Sequence, residues 1–152
     1  MGMEIEKKFI PATLPKDLDN YKHLELEQAY LNTSPVVRIR KEDDSYYLTY
    51  KGGGMMAREE YNLPLNKKSY YHLLEKADGN VISKTRYIIP INDRKLTAEL
   101  DVFHGKFQGL LLVEVEFSSV VEADAFQKPD WFGDEVTYDR HYHNSYLSKL
   151  EM

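Results

Sequence analysis

The sequence predicts an α+β protein: a closed antiparallel eight-stranded β-barrel with a charged interior and with helices packed outside. Two observations predict this fold class. Eight short strand-like runs follow one another, and strands adjacent in sequence usually pair as antiparallel neighbours. In nearly every run, charged residues recur at every second position with an apolar residue between them. Because alternate side chains of a strand share a face, each strand has a charged face and an apolar face.

Short connections separate most of the predicted strands, and Glu42 to Ser45 form the turn of a hairpin. In chain order, the strands are EIEKKFI (4–10), HLELEQAYLN (23–32), PVVRIRKED (35–43), SYYLTYKGG (45–53), MMAREEYNLPL (55–65), VISKTRYIIPI (81–91), KLTAELDVFHG (95–105) and LLLVEVEFSS (110–119).

Helical segments are predicted between and after the strands. Asn66 is a suitable N-cap for the first long one, and Ser118 or Ser119 for the second. The segments are KKSYYHLLEKA (67–77), VVEADAFQ (120–127), the tail HNSYLSKLEM (143–152) and a short helix after Pro15. Strands outnumber helices, which favours a fold dominated by one antiparallel sheet.

Length and composition exclude several classes of protein. The 152 residues are enough for one core, so we expect a single domain, 1–152. A formal net charge of −5 argues against binding nucleic acid through bulk electrostatics. The absence of cysteine excludes disulfides, cysteine-ligated zinc and thiol catalysis. No apolar run approaches the ~20 residues of a membrane span, so we expect a cytoplasmic protein with no membrane partner. The sequence leaves a homodimer open.

Charged or polar side chains stand two positions apart on seven of the predicted strands. Basic pairs and acidic pairs fall on different strands. The pairs are Glu4/Glu6, Arg38/Arg40, Thr49/Lys51, Arg58/Glu60, Lys84/Arg86, Glu99/Asp101 and Glu114/Glu116. On a single strand such a pair usually marks a solvated outer face. Repetition on seven strands favours a barrel whose charged faces point inward and whose apolar faces are covered by helices.

A cavity crowded with both signs of charge needs ligands of both signs, because unneutralised buried charges are costly. A polyanion balances the Arg and Lys side chains, and Arg suits phosphate through its planar fork. A divalent cation balances the carboxylates, since hard cations prefer oxygen ligands. A polyphosphate chelated by Mg²⁺ or Mn²⁺ satisfies both requirements.

A charged motif and a series of later segments occur in an order found in one known family. The motif is ExExK at positions 4–8. The later segments are QAYL (28–31), VRIR (37–40), LTYK (48–51), SKTRY (83–87), ELDVF (99–103), EVEF (114–117) and the ending at 131–144. Together they resemble the CYTH superfamily, or triphosphate tunnel metalloenzymes. The resemblance covers almost the whole chain and implies a closed eight-stranded tunnel that acts on triphosphates with divalent metal.

The resemblance also implies a role for each charged position. Metal binding, of Mg²⁺ or Mn²⁺, falls to Glu4, Glu6, Glu99, Asp101, Glu114 and Glu116. Phosphate binding falls to Lys8, Arg38, Arg40, Lys51, Arg58, Lys84, Arg86 and Arg140, with Arg58 and Arg140 placed at the tunnel mouth. Catalytic roles fall to Lys8, Tyr30, Glu60 and Asp101.

Some of these roles stay open between alternatives. Tyr30 is expected near Lys8, where it would position one end of the triphosphate. Glu60, Glu99 and Asp101 could instead orient the basic residues, or bind a second metal or its waters. Glu60, Glu116 or Asp101 could orient the attacking water, because phosphoryl transfer needs no protein nucleophile.

The resemblance favours a short bacterial inorganic triphosphatase that converts tripolyphosphate to diphosphate and phosphate. The alternatives within the fold are a class IV adenylate cyclase and a thiamine triphosphatase. An alternative of another class is a polyphosphate- or nucleotide-binding protein without catalysis, and the full set of carboxylates argues against it. His141 and His143 have the spacing of metal ligands on a strand, but an exposed or packed pair is expected.

Overall fold

A computed structural model describes residues 3–150 of the protein. The strands are β1 (Met3–Pro11), β2 (Lys22–Thr33), β3 (Val36–Glu42), β4 (Ser45–Lys51), β5 (Ala57–Leu65), β6 (Asp78–Ile91), β7 (Leu96–Phe103), β8 (Leu111–Glu116) and β9 (Phe132–Glu135). The α-helices are α1 (Lys67–Leu74), α2 (Val120–Asp124) and α3 (Asn144–Leu147), and the 3-10 helices are Leu18–Asn20, Gly105–Phe107 and Arg140–Tyr142. Among these residues, no helix has the length and hydropathy needed to cross a lipid bilayer.

Strands β1 to β8 form one closed antiparallel barrel, as predicted. Hydrogen-bonded neighbours follow the order β5-β4-β3-β2-β6-β7-β8-β1, and pairing of β1 with β5 closes the ring. In that closing pair, Met3 lies opposite Glu59. The later part of β1 pairs with β9, where Phe9 lies opposite Glu135. The sequence does not predict β9, because its four residues FGDE show no regular alternation.

The charged faces of the strands point into the barrel. Directly opposite residues of paired strands share a face, and Lys8 lies opposite Glu114 while Arg86 lies opposite Asp101. Charged side chains are rarely buried unless they are paired, yet many are buried on these strands. They are Glu4, Glu6, Lys8, Arg38, Arg40, Lys51, Lys84, Arg86, Asp101 and Glu114. The predicted charged interior is therefore confirmed.

The apolar faces point outward and are covered by the helices in part, while Tyr50, Tyr61 and Leu63 of β4 and β5 are exposed. Tyr70 of α1 is fully buried against Ala29 and Ile39 of the barrel. Ala123 of α2 belongs to a larger apolar cluster that includes Phe9 and other residues of β1, β7 and β8. Burial of these faces against water is the main force that holds the helices on the barrel.

Side-chain caps begin the two predicted helices. The Asn66 side chain accepts a hydrogen bond from the Ser69 amide at 2.7 Å. The Ser119 hydroxyl accepts one from the Glu122 amide at 3.0 Å. Of the two serines considered, Ser119 is thus the cap of α2.

The helices end earlier than the sequence predicts. The first ends at Leu74 rather than at residue 77, because β6 begins at residue 78 and the chain must first turn. The second ends at Asp124 rather than at residue 127. The tail forms only the single turn of α3, and residues 151 and 152 of its predicted helix lie outside the described residues. The helix expected after Pro15 is the 3-10 turn Leu18–Asn20.

The C-terminal segment, residues 136–150, packs across the end of the barrel where β1 finishes and β6 begins. The Lys8 amide donates to Thr137 Oγ1 at 3.0 Å. On the other side, Asn80 Nδ2 donates to the Leu147 carbonyl at 3.1 Å. Leu147 is also buried in an apolar cluster with residues of β6, β7 and β8. The segment therefore covers one barrel end and brings its own side chains to the interior.

Candidate active site

The barrel encloses a polar cavity of about 300 Å³. All eight barrel strands contribute to its lining, and the C-terminal segment adds two residues. The lining residues are Glu4, Glu6, Lys8, Tyr30, Val36, Arg38, Arg40, Glu42, Tyr47, Thr49, Lys51, Arg58, Glu60, Asn62, Arg86, Glu99, Glu114, Glu116, His143 and Asn144.

The cavity gathers most of the residues predicted for the site, and three of them lie elsewhere. Lys84 and Asp101 are completely buried behind the lining, where Asp101 contacts both Lys84 and Arg86. Arg140 is exposed and lines a separate surface depression, which shares Arg58 and His143 with the cavity. The structure thus places Arg140 beside the cavity rather than in it.

Carboxylates crowd one side of the cavity, on the adjacent strands β1, β7 and β8. We call Glu6, Glu99, Glu114 and Glu116 the acidic wall. Glu6 lies opposite Glu116 in the β1–β8 register, and Glu99 lies opposite Glu114 in the β7–β8 register. Four carboxylates on neighbouring inward positions repel one another, so this wall has a deficit of positive charge.

The pKa values of the acidic wall reflect this crowding. Burial and repulsion from Glu4 raise the pKa of Glu116 to about 7. Burial, followed by repulsion from Glu114, raises the pKa of Glu6. Burial also raises the pKa of Glu99. For Glu114 burial opposes ionisation, but the charges of Lys8 and Arg86 outweigh it and hold the pKa well below its usual range.

Two arginines of β3 face the cavity from the other side. We call Arg38 and Arg40 the arginine pair. In the ring of eight strands, three strands separate β3 from β8 in either direction, so the arginine pair lies opposite the acidic wall. Arg38 Nη2 donates to Thr49 Oγ1 at 3.3 Å. The Nε atom of Arg38 is buried without a hydrogen-bond partner.

Lys8, Lys51 and Arg86 are paired with carboxylates, whereas Arg58 donates through Nε to the Gly52 carbonyl at 3.1 Å. Lys8 Nζ lies 2.8 Å from Glu6 Oε1. Lys51 Nζ lies 2.8 Å from Glu4 Oε1 and 3.5 Å from Glu60 Oε2. The Lys8–Glu6 pair lies within β1, whereas the pairs of Lys51 join β4 to β1 and β5.

Asp101 holds two cations at once. Its Oδ1 accepts from Arg86 Nε at 2.7 Å, and its Oδ2 accepts from Arg86 Nη2 at 2.9 Å. Lys84 Nζ also lies 2.7 Å from Oδ2. Since both oxygens of Asp101 are engaged, the geometry favours its predicted role of orienting basic residues over a role as metal ligand.

The donor set suits a hard divalent cation, although no ready-made ligand cluster is present. Within residues 3–150, no three Asp, Glu or His side chains converge as a metal-binding group. However, Glu114 Oε1 is buried without a hydrogen-bond partner. Carboxylate oxygens are the ligands that Mg²⁺ and Mn²⁺ prefer. A cation at the acidic wall would satisfy this oxygen and relieve the repulsion.

Several neutral residues form hydrogen bonds with the charged residues of the site, and the sequence motifs do not predict most of them. Thr49 Oγ1 donates to Asn62 Oδ1 at 2.5 Å, so Asn62 fixes the hydroxyl that receives Arg38. Lys84 Nζ donates to Asn144 Oδ1 at 3.2 Å. Because these amides are uncharged, the pattern of charged pairs does not identify them. Their inward register positions on β5 and their place in the C-terminal segment are the only signals that mark them.

The two histidines of the C-terminal segment are not on a strand, contrary to their predicted setting. His141 lies in the 3-10 helix and pairs with Asp139, with 2.7 Å between Nδ1 and Oδ1. His143 is buried beside the cavity, where its Nε2 lies 3.2 Å from the Thr137 carbonyl. Burial and the nearby charge of Lys8 lower the pKa of His143. The pair is therefore one exposed and one packed histidine.

Tyr30 and Lys8 both line the cavity, as expected. Tyr30 lies opposite Arg38 in the β2–β3 register, so its side chain shares the inward face with the arginine pair. Within the described residues no hydrogen bond joins Tyr30 to Lys8. The proposed positioning role of Tyr30 stays a prediction.

A closed eight-stranded barrel with a charged cavity is the architecture expected of the family identified from the sequence motifs. A sequence model of the CYTH domain matches residues 2–151. The chain therefore belongs to the CYTH domain family.

Two relatives and a crystal structure are similar over nearly the full length. An inorganic triphosphatase of Nitrosomonas europaea is 41% identical over 149 residues, covering 95% of this chain and 96% of the relative. An inorganic triphosphatase of Acetivibrio thermocellus is 38% identical over 160 residues, covering 98% and 95%. The crystal structure of the inorganic triphosphatase NE1496 superposes with a TM-score of 0.72 at 36% identity, covering 99% and 97%.

Proposed function

We propose that the protein is a divalent-metal-dependent inorganic triphosphatase that hydrolyses tripolyphosphate to diphosphate and phosphate. One observation carries the proposal: the cavity places the arginine pair opposite the acidic wall. The phosphate oxygens of a metal-chelated triphosphate can bind the arginine pair, and its metal cation can bind the acidic wall. The names of the two similar proteins, both inorganic triphosphatases, support the same substrate.

Cations from several strands of the barrel would bind the phosphate groups. The arginine pair offers guanidinium donors, and the unpartnered Nε of Arg38 is one of them. Lys8, Lys51 and Arg86 line the same cavity from β1, β4 and β6. Charge-assisted hydrogen bonds from several strands fix a flexible triphosphate in one conformation. This alignment lowers the entropic part of the barrier to phosphoryl transfer.

The metal would be held by the acidic wall. Glu114 supplies Oε1, which accepts no hydrogen bond and lies 3.6 Å from Arg86 Nη2, and Glu6 and Glu116 lie beside it on the paired strands. Glu4 and Glu99 line the cavity next to them. A bound Mg²⁺ or Mn²⁺ neutralises phosphate oxygens and so stabilises the charge that develops during transfer. The protein itself supplies the position and the water-poor surroundings.

Glu60 is our candidate for orienting the attacking water. It lines the cavity, and its carboxylate is held by Asn62 Nδ2 at 3.3 Å and by Lys51 Nζ at 3.5 Å. These contacts leave acceptor capacity on both oxygens. Asp101 lacks this freedom, because Arg86 and Lys84 occupy both of its oxygens.

Phosphate release from tripolyphosphate, ATP and thiamine triphosphate, measured side by side, tests the proposal. Each substrate is assayed with Mg²⁺, with Mn²⁺ and with a chelator. We expect metal-dependent turnover that is fastest with tripolyphosphate and is lost in Glu114→Gln. The exposed Glu75→Gln, just after α1, serves as the matched control and should keep wild-type turnover. A lack of turnover of all three substrates with either metal would refute the hydrolase.

A further inference from the structure

Two buried arginines each donate through Nε and Nη2 to a side chain on the neighbouring strand. The two acceptor side chains differ in charge. Arg86 donates through Nε and Nη2 to the two oxygens of Asp101, its register partner on β7. Arg40 donates through the same two atoms to Oε1 of Gln28, its register partner on β2, at 2.9 and 2.6 Å. The two arginines use the same two donor atoms, but Arg86 engages both oxygens of a carboxylate and Arg40 engages the single oxygen of a neutral amide.

The charge of Arg40 is therefore compensated more weakly than that of Arg86. Its nearest carboxylate is Glu42, whose Oε1 lies 3.4 Å from Nη1 and whose side chain is partly exposed. Arg38, at the next inward position of β3, adds a second positive charge rather than a compensating one. Burial, followed by the charges of Arg38 and Arg86, lowers the pKa of Arg40 to about 10. Arg40 is still a cation at neutral pH, and it lines the cavity.

Stability alone does not favour glutamine at position 28. Gln28 is fully buried, and its Nε2 has no hydrogen-bond partner. A buried donor without a partner destabilises the fold. A glutamate of the same size would remove this donor and could engage Arg40 with both oxygens, as Asp101 engages Arg86. Glutamine at this position lowers the stability of the fold but keeps the charge of Arg40 available to a ligand.

We propose that Gln28 is a positioning residue that aims Arg40 while leaving its charge only partly compensated, by Glu42, and so sets the affinity for the triphosphate. Gln28 does not line the cavity and acts through Arg40. The arginine pair is then a main anchor of the substrate, because Lys8, Lys51 and Arg86 each share their charge with a buried carboxylate. This inference rests on the proposed function, since it takes a triphosphate as the ligand.

Gln28→Glu tests the inference, with the exposed Gln108→Glu as a control that changes the net charge equally. We expect Gln28→Glu to raise KM for tripolyphosphate by at least about tenfold, since a desolvated charge pair competes with the ligand. Its kcat should change less, and its Tm should equal or exceed the wild-type value. Gln108→Glu should match the wild type. An unchanged KM, or a joint fall of kcat and Tm without a rise in KM, overturns the proposal.

A second variant removes a carboxylate near Arg40 instead of adding one. Its result does not depend on whether the first variant folds. Glu42→Gln removes the nearest carboxylate of Arg40, so KM should fall several-fold. A KM that stays the same or rises contradicts the proposal. Binding of tripolyphosphate in the presence of a chelator is measured in parallel by calorimetry. Absence of turnover in the wild type would then count against the proposed function, while the binding comparison still decides the role of Gln28.

Discussion

Replacing Asp101 by asparagine should destabilise the barrel strongly, because this carboxylate holds two buried cations. Asp101 is completely buried, lies 2.7 Å from Lys84 Nζ and accepts two hydrogen bonds from Arg86. Removing one partner of a buried ion pair typically costs about 3–5 kcal/mol. Burial already lowers the pKa of Lys84 to about 8, although Asp101 favours its charged form. In the variant Lys84 can therefore lose its proton near neutral pH, which limits the loss to about 3 kcal/mol.

Thermal unfolding measures this loss directly. For a chain of this size, about 3 kcal/mol corresponds to a fall in Tm of about 6–12 °C. The exposed Asp134→Asn, on β9, is the matched control and should leave Tm unchanged. Tripolyphosphate with a chelator should raise the Tm of Asp101→Asn more than that of the wild type, because the anion replaces the missing negative charge. A fall in Tm no larger than that of the control would refute the reasoning.

Three further predictions concern other parts of the molecule. Burial and the hydrogen bond to Glu27 raise the pKa of Tyr70, so its contribution to stability is complete below the unfolded pKa of about 10 and is lost as pH rises above it. Urea unfolding at pH 8 and pH 11 should show a smaller loss for Tyr70→Phe than for the wild type, and equal losses would contradict this. Gly79 has φ +84°, and a Cβ there would collide with the Ser148 carbonyl. Gly79→Ala should therefore lower Tm, whereas Gly53→Ala, where a Cβ meets nothing within 4 Å, should not. Thr49→Val removes the hydroxyl that receives Arg38 and should raise KM for tripolyphosphate, and it should also lower Tm because a buried donor loses its acceptor. An unchanged KM would exclude this role of Thr49.

The barrel itself could be predicted from the sequence because alternation is a local signal. Each charged pair at period two marks an inward face, and its apolar neighbours mark the outer one. Caps such as Asn66 and Ser119 are equally local. By contrast, β9 has only four residues without regular alternation, and its position depends on the free edge left on β1 beyond β5.

The division of charges within the site could not be predicted, because it depends on register between distant strands. Glu4 pairs with Lys51, although 47 positions separate them in the chain. Gln28 carries no charge, so a search for charged pairs assigns it no role. Only the β2–β3 register shows that it holds Arg40.

A crystal soaked with tripolyphosphate and Mn²⁺, using a variant such as Glu60→Gln to slow turnover, tests the central claim most directly. In this crystal, one ligand should bridge the arginine pair and the acidic wall. We predict phosphate density at Arg38 and Arg40 and an anomalous manganese peak in contact with Glu114. Tripolyphosphate bound outside the barrel, for example in the depression beside Arg140, with no manganese at Glu114, would contradict the account.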